Sequence, residues 1–161
     1  IGGITINKKR LIIMRHAKSS HKHLNLNDHD RPLNARGLND APKIYQELSR
    51  KKFLPKLILV SSSKRTLETL SAMNFDSNEV EIKIMPEIYL AGIDQLLLSL
   101  EHCQDHGTTM ILGHNPGCEL LINNLTGEWH EMPTASAALI YENNGNWILE
   151  RIIKPKDLNF S

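Results

Sequence analysis

"LIIMRHAKSS" (residues 11–20) sets four apolar residues directly against an arginine and a histidine. An apolar run of this length, bounded by polar residues, reads as a short buried strand. Arg15 and His16 then fall where that strand ends. A buried strand gains nothing by ending on two basic side chains unless its end opens on something anionic. In open α/β sheets, ligands bind beyond the carboxyl ends of the strands. The residues at the ends of the other apolar runs therefore decide both the fold and the site.

Three further runs fit the pattern. "KLILV" (56–60) and "TTMILG" (108–113) read as buried strands, and "VEIKIM" (80–85) alternates. Helical patterns separate them. Leu38, Ala41, Tyr45 and Leu48 recur at helical spacing, with Asn39 or Asp40 as cap and Pro42 in the first turn. "SSSKRTLETLSAM" is a serine-capped helix. Residues 94–106 form an amphipathic helix with Leu97 and Leu100 inward and Leu96 on the flank. "NPGCELLINNL" starts with an Asn cap and Pro116 at the first helical position. "SAALIYE" and "WILERII" flank "NNGN", a hairpin signal. Residues 17–33 are a polar loop, and Trp129 and Trp147 are expected in core or hairpin packing. Regular alternation of strand and helix predicts an α/β fold, a mostly parallel sheet with helices on both faces.

The bulk numbers narrow the function classes. The chain has 161 residues, 40% of them hydrophobic, which suits one domain over 1–161. Residues 1–9 do not open on Met and are expected to be a tag remnant or disordered. Nineteen basic residues against 18 acidic leave a net charge of +1, so no global field attracts nucleic acid. No apolar run approaches the ~20 residues a membrane helix needs. Cys103 and Cys118 make neither a zinc set nor a disulfide framework, and reduced thiols point to a cytoplasmic protein.

The strand ends carry the chemistry. The first strand ends on Arg15 and His16. The second ends on Ser61, Ser62 and Ser63, with Arg65 in the next helical turn. The third is followed by Glu87, and the fourth ends on Gly113 and His114. In a parallel sheet all four loops open on one edge. Arginine presents a fixed fork of donors that grips two phosphate oxygens. Helix N-termini add backbone N–H groups. Phosphoryl transfer needs mainly positioning and charge stabilisation. A histidine with one neutral ring nitrogen in line serves as covalent nucleophile, provided its other nitrogen donates to a fixed acceptor such as a backbone carbonyl.

"RHAKSS", "DRPLNARG", "SSSKRTLET", "PEIYLAG" and "ILGHNPG" together resemble the histidine phosphatase superfamily, and most of all its small SixA-type phosphohistidine phosphatase branch. The resemblance runs from about Arg10 to Glu142. It implies a three-layer α/β/α fold of the phosphoglycerate mutase-like kind, with a six-stranded mixed sheet and one antiparallel strand. It implies phosphorylation of His16 during turnover, a phosphate pocket of Arg15, Arg65 and His114, and substrate contact by Arg31; a protonated His114 is expected to help the arginines offset the charge on the transferred group. Neither metal nor other cofactor is implied. Glu68 stands where relatives often have glutamine, which bears on helix packing or a contact behind the site. Glu87 matches the usual proton donor by location, although its spacing to Gly92 departs from the larger mutase-like members.

Competing readings stand beside these. Glu87 is either a catalytic acid or a residue of the turn after Pro86. Arg31 contacts substrate or only pairs with Asp28 or Asp30. Lys18 and Ser19 shape the phosphate pocket or belong only to the loop. His21, His23 and His29 have metal-like spacing, but no carboxylate or cysteine pattern completes a set, so a solvated loop is expected. The function expected is a phosphatase working through phospho-His16, with phosphohistidine on a protein as substrate. The alternatives are a phosphomonoesterase for a small metabolite and a non-catalytic phosphate- or phosphohistidine-binding module.

Overall fold

The computed structural model describes residues 8–158. The expectation for residues 1–7 lies outside the described residues, while Lys9 already opens the first strand. The elements in chain order are β1 (Lys9–Arg15), α1 (Ala35–Arg50), β2 (Leu57–Val60), α2 (Lys64–Met73), β3 (Glu81–Ile84), α3 (Ile93–Ser99), β4 (Gly107–Gly113), α4 (Gly117–Thr126), β5 (Ala137–Asn143) and β6 (Asn146–Ile153).

The six strands form one sheet in the order β3-β2-β4-β1-β5-β6. β1, β2, β3 and β4 pair in parallel. β5 is antiparallel to both of its neighbours and alone runs against the rest. The sheet is the mixed six-stranded kind that the sequence motifs imply. Side chains alternate across it. Ile12, Met14, Ile58, Val60 and Met110 pack with Ile44 and Leu48 of α1 and Leu70 and Met73 of α2. Leu11, Ile13, Leu57, Leu59 and Ile111 pack with Leu96 of α3 and Leu121 and Ile122 of α4. The strands β1, β2 and β4 are thus covered on both faces, which is why their sequences read as continuous apolar runs. Each such fully buried side chain contributes about 1.5–3 kcal/mol.

Four local expectations are corrected. α1 begins earlier, because the Asn34 side chain accepts from the Gly37 N–H and caps it there. Pro42 therefore lies inside the helix, where it removes a donor to the Leu38 carbonyl. Leu38 is exposed, so solvent reaches that turn. α3 is shorter than its apolar pattern. It tightens into a 3-10 turn at Leu100–His102, and Leu96, not Leu97, is its most buried leucine. Pro116 is the N-cap of α4, and Asn115 caps nothing; its Nδ2 instead donates to the Met132 carbonyl at 2.9 Å. Trp129 is exposed, whereas Trp147 packs against the α4 side of the sheet.

Candidate active site

β1 and β4 are immediate neighbours, and their register sets Arg15 beside Gly113. One residue further, the His16 N–H donates to the Gly113 carbonyl at 3.0 Å. The two histidines at the ends of these strands are thereby forced together. Their ring centroids lie 5.3 Å apart with the planes at 57°. Both are almost wholly buried, at 6% and 4% exposure, yet among polar partners.

The tautomer of His16 is set by its partner. Nδ1 lies 2.7 Å from the Ala17 carbonyl, which can only accept, so Nδ1 carries the hydrogen and Nε2 keeps a lone pair. His114 is held on both sides. Nε2 sits 2.8 Å from the Ser61 hydroxyl at the end of β2, and Arg65 Nη2 approaches Nδ1 at 3.4 Å. Burial first, then the surrounding guanidinium groups, pull the His16 pKa down to about 4. Burial and the neighbouring His16 pull His114 down to about 3. Both rings are neutral at neutral pH in this structure, so the protonated His114 expected from sequence is not its resting state.

Three arginines surround the rings. Arg65, in the first turn of α2, donates from Nη1 to the Asp28 carbonyl at 2.8 Å and from Nη2 to the Asp28 carboxylate at 3.0 Å. Arg15 donates to the Met132 carbonyl at 3.0 Å. Arg31 donates to the Ser19 hydroxyl at 2.7 Å and to Asp28 Oδ1 at 3.2 Å. Arg15 Nε and Arg65 Nε are buried and have no hydrogen-bond partner among the described residues. Buried donors of this kind carry a desolvation penalty until an acceptor reaches them. His16, His114, the three arginines, Lys18 and Asp28 line one cavity of about 290 Å³. Arg31 does pair with Asp28, and it lines the cavity as well.

Glu87 is not brought to this cavity. It sits exposed in the 3-10 turn Pro86–Ile88. Ile88 takes the inward position of that turn at 1% exposure, and Glu87 lines a separate cleft with Lys83, Gln95 and His102.

The structure gives further residues a part in this site. Asp28 pairs with Arg31 and Arg65 and accepts from the Tyr89 hydroxyl. Ser61 fixes His114. His21 lines the cavity, and His29 Nε2 bonds the Ser62 hydroxyl at 2.9 Å while its ring packs on Tyr89. The loop is thus tied to the strand ends and is not merely solvated, although His23 is exposed. Glu68 accepts from the Leu33 N–H at 2.8 Å, anchoring the "RPL" segment from α2. The fork donors and one imidazole with a free lone pair make a cavity suited to hold a tetrahedral anion beside a nucleophile.

Comparisons with known proteins bear on the family and the fold. The sequence profile of the histidine phosphatase superfamily (branch 1) matches residues 11–89. An uncharacterised chloroplastic protein of Arabidopsis thaliana is 38% identical over 150 residues, covering 86% of this chain and 69% of that one. The crystal structure of a presumed phosphohistidine phosphatase SixA from Agrobacterium tumefaciens superposes with a TM-score of 0.83 at 26% identity, covering 92% of this chain and 99% of that one. The protein histidine phosphatase SixA complexed with tungstate gives a TM-score of 0.77 at 21% identity, over 92% of this chain and 98% of that one.

Proposed function

The chain belongs to the histidine phosphatase superfamily, and from that premise we propose that it hydrolyses phosphohistidine on a protein through a phospho-His16 intermediate. The observation that carries this reading is the pairing of two buried, neutral imidazoles 5.3 Å apart inside a ring of arginines. A binding module needs the arginines but not a histidine whose tautomer leaves Nε2 free.

In the first step the Nε2 lone pair of His16 forms a bond to phosphorus. The bond from phosphorus to the leaving atom breaks, and its electron pair departs with the leaving group. Arg15, Arg31 and Arg65 offset the charge on the equatorial oxygens. Arrival of a phosphoryl dianion also reverses the local field around His114, which then takes up a proton and adds a fourth positive charge at the cavity. In the second step water attacks phospho-His16, inorganic phosphate leaves, and Nε2 is restored.

The leaving group decides the substrate. An alkoxide needs a proton from a positioned acid, a contribution of roughly 10²–10⁴-fold. Glu87 lies outside the cavity, and Asp28, which lines it, is held near a pKa of about 2, first by the Tyr89 hydroxyl and then by Arg65. An imidazole leaving group that is already protonated departs neutral and needs no such acid. The small cavity accommodates a phosphoryl group and the end of one side chain, which suits a substrate presented by a partner such as a phosphotransfer protein.

Rapid quenching with radiolabelled phosphoramidate tests the intermediate. Acid-labile label on the wild-type chain and none on His16→Ala is the expected result. Label retained by the His16→Ala variant overturns the covalent mechanism.

A further inference from the structure

A carboxylate on the wall of an anion cavity repels the anion it should help to hold. Asp28 is nevertheless the one acidic side chain, among the described residues, that lines this cavity. Its place is built, not incidental. Oδ1 accepts from Arg31 at 3.2 Å, and Oδ2 accepts from Arg65 at 3.0 Å and from the Tyr89 hydroxyl. Tyr89 is itself fixed, edge-on to His114 at 5.4 Å and to His29 at 4.7 Å. Pairing with the arginines accounts for two of the three contacts. The third comes from a neutral phenol, which balances no charge and instead secures the ionised carboxylate. The Asp28 side chain keeps 47% exposure, so its oxygens retain lone pairs open to an incoming group.

We propose that Asp28 selects a nitrogen leaving group: its carboxylate accepts the N–H of the substrate imidazole and favours the protonated, cationic ring from which phosphorus departs. The proposal rests on the phosphatase reading above and names the residue that gives it specificity. The protonated substrate carries the phosphoryl group on one ring nitrogen and a hydrogen on the other. As His16 Nε2 bonds to phosphorus, the substrate P–N bond breaks and its electron pair returns to the substrate ring, cancelling the positive charge. The hydrogen facing Asp28 stays where it is. The product leaves as neutral histidine, and Asp28 remains a carboxylate. An ester reverses the sign: negative charge develops on the leaving oxygen, and Asp28 opposes it.

The experiment compares wild-type protein with Asp28→Asn and Asp28→Glu on phosphohistidine and on a phenyl phosphate. A hydrogen bond to a charged group accounts for roughly 10- to 100-fold. The ratio of kcat/KM for phosphohistidine to that for the ester should fall by about that factor in Asp28→Asn. Asp28→Glu, which keeps the charge, should recover part of the ratio. An equal fall on both substrates in Asp28→Asn makes Asp28 only a support for Arg65 and overturns the proposal, as does an unchanged ratio. Wild-type protein that prefers phosphohistidine while Asp28→Asn keeps that preference removes the proposal alone. Wild-type protein that cleaves the ester and not phosphohistidine removes the substrate reading and the proposal with it.

Discussion

Arg65 Nη2 meets His114 Nδ1 at 3.4 Å, so a cation and an imidazole share one end of the cavity. The ring answers by giving up its proton, with a pKa lowered to about 3 by burial and by neighbouring His16 and Arg65. A bound oxyanion should undo this. Vanadate added at pH 7 is expected to move the His114 ring signals to imidazolium positions in the NMR spectrum. A ring that stays neutral with vanadate bound would leave the arginines as the whole of the charge stabilisation.

The same shifts set the acid stability. Folded-state pKa values of about 4 for His16 and about 3 for His114 lie below the 6.5 of a free imidazole. The folded chain then binds fewer protons than the unfolded one, and the stability present above pH 6.5 is lost as pH falls towards the folded values. Asp28, lowered from 3.8 to about 2, adds a loss of the same sign that starts only below about pH 4. The melting temperature should therefore begin to drop between pH 6.5 and 5, ahead of the carboxylates. A flat profile across that interval contradicts the assigned burial of the two rings.

Arg65 combines a buried guanidinium with an Nε that has no partner among the described residues. Arg65→Ala should weaken vanadate inhibition by roughly 10- to 100-fold, the range for a charge-assisted hydrogen bond. Arg65→Lys keeps the charge but loses the fork, and should recover only part of the affinity. An inhibition constant unchanged in Arg65→Ala would place this residue outside the phosphate site.

Glu87 is exposed and lines a different cleft from His16. Glu87→Gln should leave kcat/KM for p-nitrophenyl phosphate and for phosphohistidine within about twofold of wild type, as surface changes of about 0.5 kcal/mol or less do. A selective loss on the ester would return Glu87 to the role of proton donor and require the turn at Pro86–Ile88 to move.

The apolar runs made the central strands legible, because strands covered on both faces carry an unbroken signal in their residues. The strand-end rule then assigned Arg15, His16, Arg65 and His114 to one edge of the sheet. Tyr89, and the contacts of Asp28 beyond Arg31, escaped because they depend on where an irregular loop folds back, and loops carry no period. The pairing of Asp28 with Tyr89 spans 61 positions of chain. Glu87 stayed open between acid and turn residue because location after a strand fixes only the edge of the sheet. Which way a side chain leaves a 3-10 turn is settled by Ile88 competing for the core. The start of α1 was misplaced for a similar reason. Asn34 caps through the Gly37 N–H, a local hydrogen bond that starts the helix well ahead of Pro42.

Gly37 supplies the last prediction. A Cβ built there would lie 2.2 Å from the Lys18 carbonyl oxygen and 3.0 Å from the Lys18 nitrogen. Both are backbone atoms, so no side chain can swing aside. The same Lys18 carbonyl accepts from the Asn34 N–H at 3.0 Å, which docks the start of α1 against the segment just after His16. Gly37→Ala must push that segment and helix apart. It should lower stability by about 1–3 kcal/mol, as overpacking does. It should also reduce kcat/KM, because Ala17 and Lys18 move with the displaced backbone and Ala17 holds the His16 tautomer. Gly92→Ala is the control, since nothing lies within 4 Å of a Cβ at that position. Denaturant midpoints and kcat/KM measured on both variants decide the matter. If Gly37→Ala behaves like Gly92→Ala, the close approach of α1 to the His16 segment is not what sets the site.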